Sequence, residues 1–169
     1  MSFSKNIFLV GMPGSGKSTV GRLLAEKLGL DFYDLDNEIE SASGKTIAEI
    51  FTEGEEVFRK HEAATLLKTI SNKKSFILSA GGGTACFFDG MKVMNESGVT
   101  IYLDTPIDVL ITRTKRKQHR PLLTANPVAA LKELLNKRQE CYSQAKYKID
   151  TMGLDPQQKV EKIIKLLAK

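Results

Sequence analysis

The sequence predicts an α/β protein built on a parallel β-sheet. Three observations carry that expectation. Short apolar runs alternate with longer amphipathic stretches, the order of strands joined by crossover helices. A glycine-rich turn joins the first apolar run to the first amphipathic stretch. The strongest chemical signals fall just after predicted strands, where open α/β sheets bind ligands.

The first strand is Ile7-Phe8-Leu9-Val10. A helix follows over about Lys17 to Leu28, with Val20, Leu23, Leu24, Lys27 and Leu28 tracing its stripe and Gly29 stopping it. Phe32-Tyr33 heads a short second strand ending at Asp34. Helical patterns fill about 36 to 71, punctuated by Gly44 and Gly54. The third strand, Phe76 to Ser79, runs into Gly81-Gly82-Gly83, and the fourth is Val99 to Leu103. A helix starts at Pro106, a favoured first residue. Residues 115 to 126 are polar and basic and read as a mobile loop. A helix from about Pro127 to Tyr142, a strand near Tyr147 to Asp150 and a helix opened by Pro156 complete the chain, the last with Val160, Ile163, Ile164 and Leu167 on one face.

Length and composition bound the function. The 169 residues suit one domain, and 41% hydrophobic with 27% charged residues suits a globular core. No apolar run approaches the roughly 20 residues that span a bilayer, and the first six residues lack the pattern of a signal or transit peptide. A cytoplasmic protein, without membrane association, is the expectation. The net charge of +5 fits either nucleic acid or an active site for polyanions. The sharpest basic cluster, Lys115 to Arg120, has no interleaved aromatic residue and no nucleic-acid module around it, which favours small anions. Cys86 and Cys141 form neither a metal motif nor a Cys-x-x-Cys pair, so both are expected to be reduced thiols. His61 and His119 show no catalytic or metal-binding pattern.

Gly11-Met12-Pro13-Gly14-Ser15-Gly16-Lys17-Ser18 matches G-x-x-x-x-G-K-[ST] between a strand and a helix, the context the motif requires. Glycines there let backbone N–H groups of Gly14, Ser15, Gly16 and their neighbours converge on phosphate oxygens, and the helix N-terminus adds its positive end. Lys17 is expected to reach the outer phosphates and Ser18 to ligate Mg²⁺. The spacing excludes a G-x-G-x-x-G dinucleotide site. No Asn-Lys-x-Asp guanine-reading motif is present, and a chain this short leaves little room for a motor.

Other residues stay open between structural and functional roles. Asp34 and Asp36, spaced i, i+2 after the second strand, suit Mg²⁺ and a substrate hydroxyl, or a helix cap. Asp104 ends another apolar strand and competes with Asp34 for the metal role. Arg59 and Arg138 lie on predicted helices, where a lone arginine is usually solvent-facing, and a functional role is the less favoured alternative. Gly81, Gly82 and Gly83 let backbone approach a ligand closely. Arg120, in Arg120-Pro121-Leu122-Leu123, is placed to close over a transferring phosphoryl group.

Taken in order, these pieces resemble the shikimate kinase family over nearly the whole chain: GMPGSGKST at 11–19, FYDLD at 32–36, FRKHE at 58–62, SAGGG at 79–83, RPLL at 120–123, R-x-x-x-Y from Arg138 to Tyr142, and the Thr151–Pro156 segment. The resemblance implies a single three-layer αβα P-loop kinase domain over 1–169. Its five-stranded parallel sheet would have order 2-3-1-4-5, with a substrate-binding region at about 34–62 and a lid at about 115–126. It implies transfer from MgATP to the 3-hydroxyl of shikimate, towards chorismate and the aromatic amino acids, by an enzyme expected to be a monomer. It places the carboxylate of shikimate on Arg59 and Arg138, the ring hydroxyls on Asp36 as candidate base, and a backbone N–H of Gly81–Gly83, most of all Gly82, in the same site. Asp34 would support Mg²⁺ beside Ser18, Thr19 would lie with the phosphate loop, Arg120 would contact the ATP phosphates, and Arg113 and Pro156 would sandwich the adenine. Tyr142-Ser143-Gln144-Ala145-Lys146 departs from the Val-Ala pair frequent in the family. Two rivals share the phosphate loop: another P-loop small-molecule kinase, acting on gluconate or a nucleotide, and a non-catalytic nucleotide-binding regulatory module.

Overall fold

A computed structural model of the chain describes residues 5–116 and 126–169. Five strands form one parallel sheet: β1 (Asn6–Val10), β2 (Asp31–Asp34), β3 (Phe76–Ser79), β4 (Gly98–Asp104) and β5 (Tyr147–Asp150). Their order is β2-β3-β1-β4-β5, as the resemblance implied. The helices are α1 (Lys17–Leu28), α2 (Leu35–Ser43), α3 (Ile47–Thr52), α4 (Glu55–Asn72), α5 (Gly90–Ser97), α6 (Ile107–Arg116), α7 (Pro127–Ser143) and α8 (Pro156–Leu167).

Strand side chains alternate between two faces, and both faces are buried. Ile7, Leu9, Ile77, Ile101, Leu103 and Ile149 pack with Val20 and Leu24 of α1 and Val160 and Ile163 of α8. Phe8, Val10, Phe76, Leu78 and Tyr102 pack with residues of α2, α4, α5, α6 and α7, among them Ile39, Leu66, Met94, Leu110 and Tyr142. The apolar runs lack polar alternation because neither face meets water.

The register sets up the site. Leu9 of β1 pairs with Ser79 of β3, and Ser79 pairs in turn with Asp34 of β2. Three strands therefore end level, and their following loops share one edge. Gly29 closes α1 in a left-handed conformation (φ 66°), and Gly44 does the same for α2 (φ 69°). A capping box, Thr46 with Glu49, starts α3, and another, Asp155 with Gln158, starts α8.

Several expectations change. The inward face of α1 centres on Val20, Gly21, Leu24 and Ala25, whereas Lys27 is exposed in the last turn, where a cation suits the helix dipole. Residues 84–97, left without an element, form a 3₁₀ turn (Thr84–Cys86) and α5. Gly90 opens α5 against the backbone of Thr84; a Cβ there would sit 1.8 Å from the Thr84 oxygen. The predicted lid loses its ends: Lys115 and Arg116 are the last residues of α6, and the Asn126 side chain caps α7 by accepting from Ala129 N–H. Arg120 lies outside the described residues, as does 117–125 as a whole.

Cys86 and Cys141 correct the expectation of two reduced thiols. They are joined in a disulfide, with Cα atoms 5.5 Å apart. The 3₁₀ turn packs on α7, and that proximity was invisible at a separation of 55 residues. A cross-link over such a span restricts the unfolded chain by about 4 kcal/mol, and 1 kcal/mol moves Tm by roughly 2–4 °C at this size. Reductant should therefore lower Tm by about 10 °C in a thermal melt, and Cys86→Ser should melt like the reduced protein. Identical melts with and without reductant would contradict the bond.

Candidate active site

The phosphate loop spans the end of β1 and the start of α1. Gly14 (φ 85°) and Gly16 (φ 91°) take left-handed conformations, which only glycine adopts freely. Gly16 precedes the helix without a side-chain cap, so the N-terminus of α1 faces the loop. Lys17 is buried, and its ammonium donates to the carbonyls of Gly11 (2.9 Å) and Met12 (3.0 Å). Ser15, in the middle of the loop, is fully buried, and its hydroxyl makes no hydrogen bond among the described residues.

Asp34 and Asp104 separate on geometry. Ser18 Oγ donates to Asp34 Oδ2 at 2.5 Å and lies 3.2 Å from Ser79 Oγ. Asp104 is held elsewhere, by Lys148 (2.9 Å) and the Tyr102 hydroxyl (3.1 Å). The Ser18, Asp34 and Ser79 oxygens form a compact hard-donor set beside the phosphate loop. That set fits Mg²⁺, which takes one or two carboxylates and completes its octahedron with phosphate and water. Among the described residues no group of three His, Cys, Asp or Glu could hold a metal alone.

Two cavities meet at this loop. The larger, about 450 Å³, is lined by Lys17, Ser18, Asp34, Asp36, Arg59, Gly81, Gly82, Gly83 and Arg138, with Phe51, Phe58, Leu131 and Leu134 as its apolar wall. The smaller, about 310 Å³, is lined by Gly14, Gly16, Lys17, Ser18, Thr19, Arg113, Pro156 and Lys159. Lys17, Ser18 and Thr114 line both. Arg113 Nη1 donates to the Gly14 carbonyl at 2.8 Å, tying α6 to the loop.

The two arginines of the larger cavity are held differently. Arg59 is 4% exposed on the inward face of α4. Its guanidinium donates to Glu62 (2.9 Å) and Glu55 (3.1 Å) and lies over the rings of Phe58 and Phe87. Glu62 is itself buried, and its second oxygen accepts from the Thr84 hydroxyl at 2.8 Å. Arg138, 6% exposed on α7, approaches Gly82. The glycine run exists for these neighbours. A Cβ on Gly81 would lie 2.6 Å from Glu62 Oε2, on Gly82 2.8 Å from Arg138 Nη1, and on Gly83 2.4 Å from Arg59 Nη1. Tyr142 closes the arrangement by donating its hydroxyl to the Gly82 carbonyl at 2.5 Å. Burial pushes the Tyr142 phenol up to about 12, against the opposing pull of Arg138, so it stays a donor across the physiological range.

The structure thus brings together every candidate residue that it describes except two. Ser15 sits within the loop with its side chain buried and lines neither cavity, and Asp104 is drawn off by Lys148. Sequence reasoning missed Glu62, although it stands three residues after Arg59 where a helix pairs side chains. It also assigned no role to Ser79, Tyr142 or Lys159. The lysine is 2% exposed, and burial, then Arg113, push its ammonium pKa down while Asp155 opposes them. An amphipathic helix hides such a residue, because a buried cation breaks the periodic pattern.

Comparison with known proteins agrees with this geometry. A family profile described as shikimate kinase matches residues 13–168. A shikimate kinase of Persephonella marina is 45% identical over 161 residues, covering 95% of this chain and 97% of the relative. One of Thermodesulfovibrio yellowstonii is 44% identical, covering 95% and 94%. Among solved structures, shikimate kinase from Acinetobacter baumannii in complex with shikimate superposes with a TM-score of 0.93 at 39% identity, over 99% of this chain and 94% of that one. With the P-loop, the sheet order and this near-complete coverage in agreement, the chain belongs to the shikimate kinase family.

Proposed function

We propose that this protein transfers the γ-phosphoryl group of ATP to the 3-hydroxyl of shikimate, giving shikimate 3-phosphate and ADP, in the route to chorismate and the aromatic amino acids. The observation that carries the reading is the pair of cavities joined at Lys17 and Ser18. One presents a phosphate loop to a nucleotide; the other presents two buried arginines and a carboxylate to an anionic polyol.

Each residue has a physical part in this reading. Arg59 and Arg138 bind the carboxylate of shikimate, since a guanidinium fork matches it. Glu62 and the two aromatic rings keep the Arg59 fork in one orientation before substrate arrives. Asp36 orients the acceptor hydroxyl and takes its proton as the oxygen bonds phosphorus and the bond to ADP breaks. The Gly82 backbone completes the acceptor site. Lys17 and the N-terminus of α1 stabilise negative charge on the outer phosphates. Ser18, with Asp34 and Ser79 behind it, would hold Mg²⁺, which neutralises charge between the two outer phosphates. Gly14, Ser15, Gly16 and Thr19 cradle the phosphates, and Arg113 and Pro156 flank the base. Arg120, outside the described residues, belongs to this reading as a phosphate contact.

The same reading has the whole chain, 1–169, working as one domain and as a cytoplasmic monomer, with no nucleic-acid or membrane partner. No helix among the described residues is long and apolar enough to cross a membrane.

A coupled ADP-release assay over a panel of acceptors tests the function: shikimate alone should support turnover. Turnover with gluconate or a nucleotide, and none with shikimate, would overturn the acceptor. Lys17→Met should lower kcat by about 10²–10⁴-fold with a native circular dichroism spectrum, because phosphoryl transfer rests on positioning and charge. Arg59→Lys and Arg138→Lys keep the charge but lose the fork. The loss of a charge-assisted hydrogen bond, about 1.5–3 kcal/mol, should weaken shikimate binding roughly 10- to 150-fold in calorimetry. Gly83→Ala should act on the same affinity, since its Cβ would meet the Arg59 guanidinium at 2.4 Å, while ADP affinity stays within about twofold. Wild-type shikimate affinity in both arginine variants would remove the carboxylate assignment.

A further inference from the structure

Lys159 lies on the first turns of α8, 2% exposed, and lines the smaller cavity. Lysines are almost never buried so fully unless paired. Among the described residues, however, its ammonium has no ion pair and donates no hydrogen bond. Asp155, one turn earlier, accepts the Gln158 N–H on Oδ1 as the cap of α8 and forms no ion pair with Lys159. The nearby charge from another helix has the same sign. A Cβ built on Gly16 would stand 3.7 Å from Arg113 Nη1 and 3.9 Å from Lys159 Nζ. Two cations, one from α6 and one from α8, therefore converge on one point of the phosphate loop, beside the N-terminus of α1.

A buried ammonium without an ion pair is costly even with the Asp155 carboxylate partly offsetting it, and a second cation beside it adds to the cost. Packing alone gives no reason for lysine here, because an unbranched apolar chain would fill the space without the penalty. The charge makes physical sense when an anion enters the cavity. Lys17 already faces the junction with the acceptor cavity, so the anion met by Lys159 lies farther from the transferring group. We propose that Lys159 is a nucleotide-binding residue, pairing with a phosphate on the nucleoside side of the one transferred. The proposal rests on reading the smaller cavity as the nucleotide site.

The test is calorimetry of ADP and of adenosine with wild-type protein and Lys159→Met, beside thermal melts of both free proteins. Lys159→Met should weaken ADP by about tenfold or more, the effect of losing one charge-assisted hydrogen bond. Adenosine and shikimate binding should stay within about twofold, and Tm of the free protein should hold or rise because an unpaired buried charge is gone. Unchanged ADP affinity would overturn the proposal. So would an equal loss for adenosine, which would mark a packing role against the base. A variant that melts well below wild type or fails to fold would also overturn it, since a lysine needed for the fold is structural. ADP binding is measured without acceptor, so failure of the shikimate assignment and failure of this proposal are read separately.

Discussion

The level ending of β2, β3 and β1 is the constraint on which the site depends. Leu9, Ser79 and Asp34 stand in register across three parallel strands. That alignment puts the phosphate loop, the glycine run and the Asp34–Asp36 turn on one edge. A register slip of one residue would turn Ser79 and Asp34 to the opposite face and mismatch the packing on both sides of the sheet, so the same packing that stabilises the sheet holds these oxygens beside Ser18. Ser18 meets both oxygens because α1 starts directly over β1.

Electrostatics then distinguishes the two cavities. The larger cavity holds Arg59 in a compensated state: Glu62 and Glu55 clamp it and it lies over two rings, which fixes the fork. Preorganisation of this kind reduces the ordering cost of binding. The smaller cavity holds Arg113 and Lys159 near one point of the loop, and neither forms an ion pair among the described residues.

Helix α7 links the cavities to the scaffold. It carries Arg138 into the larger cavity, the Tyr142 hydroxyl onto the Gly82 carbonyl, and Cys141 onto Cys86. The last two join α7 to the segment that follows β3. The glycine run is thereby held at both ends, by β3 before it and by the disulfide after it. Its lack of side chains serves close approach by Glu62, Arg138 and Arg59.

The sequence by itself determined the parallel α/β class, the phosphate loop with its helix and most element boundaries, because strand runs buried on both faces and glycine stops are local signals. The ordered motifs also identified the family and, through it, the sheet order. Tertiary structure decided the rest. It drew Asp34 to Ser18 and Asp104 to Lys148, a choice between two strand-end aspartates that look alike in sequence. It turned Arg59, Glu62 and Arg138 inward on helices whose buried faces mix polar and apolar residues, which defeats periodicity. It revealed a buried Lys159 beside Gly16 of the phosphate loop and joined two cysteines 55 residues apart. These outcomes depend on which elements pack together across the sheet, and pairwise contact at long range leaves no mark on local pattern.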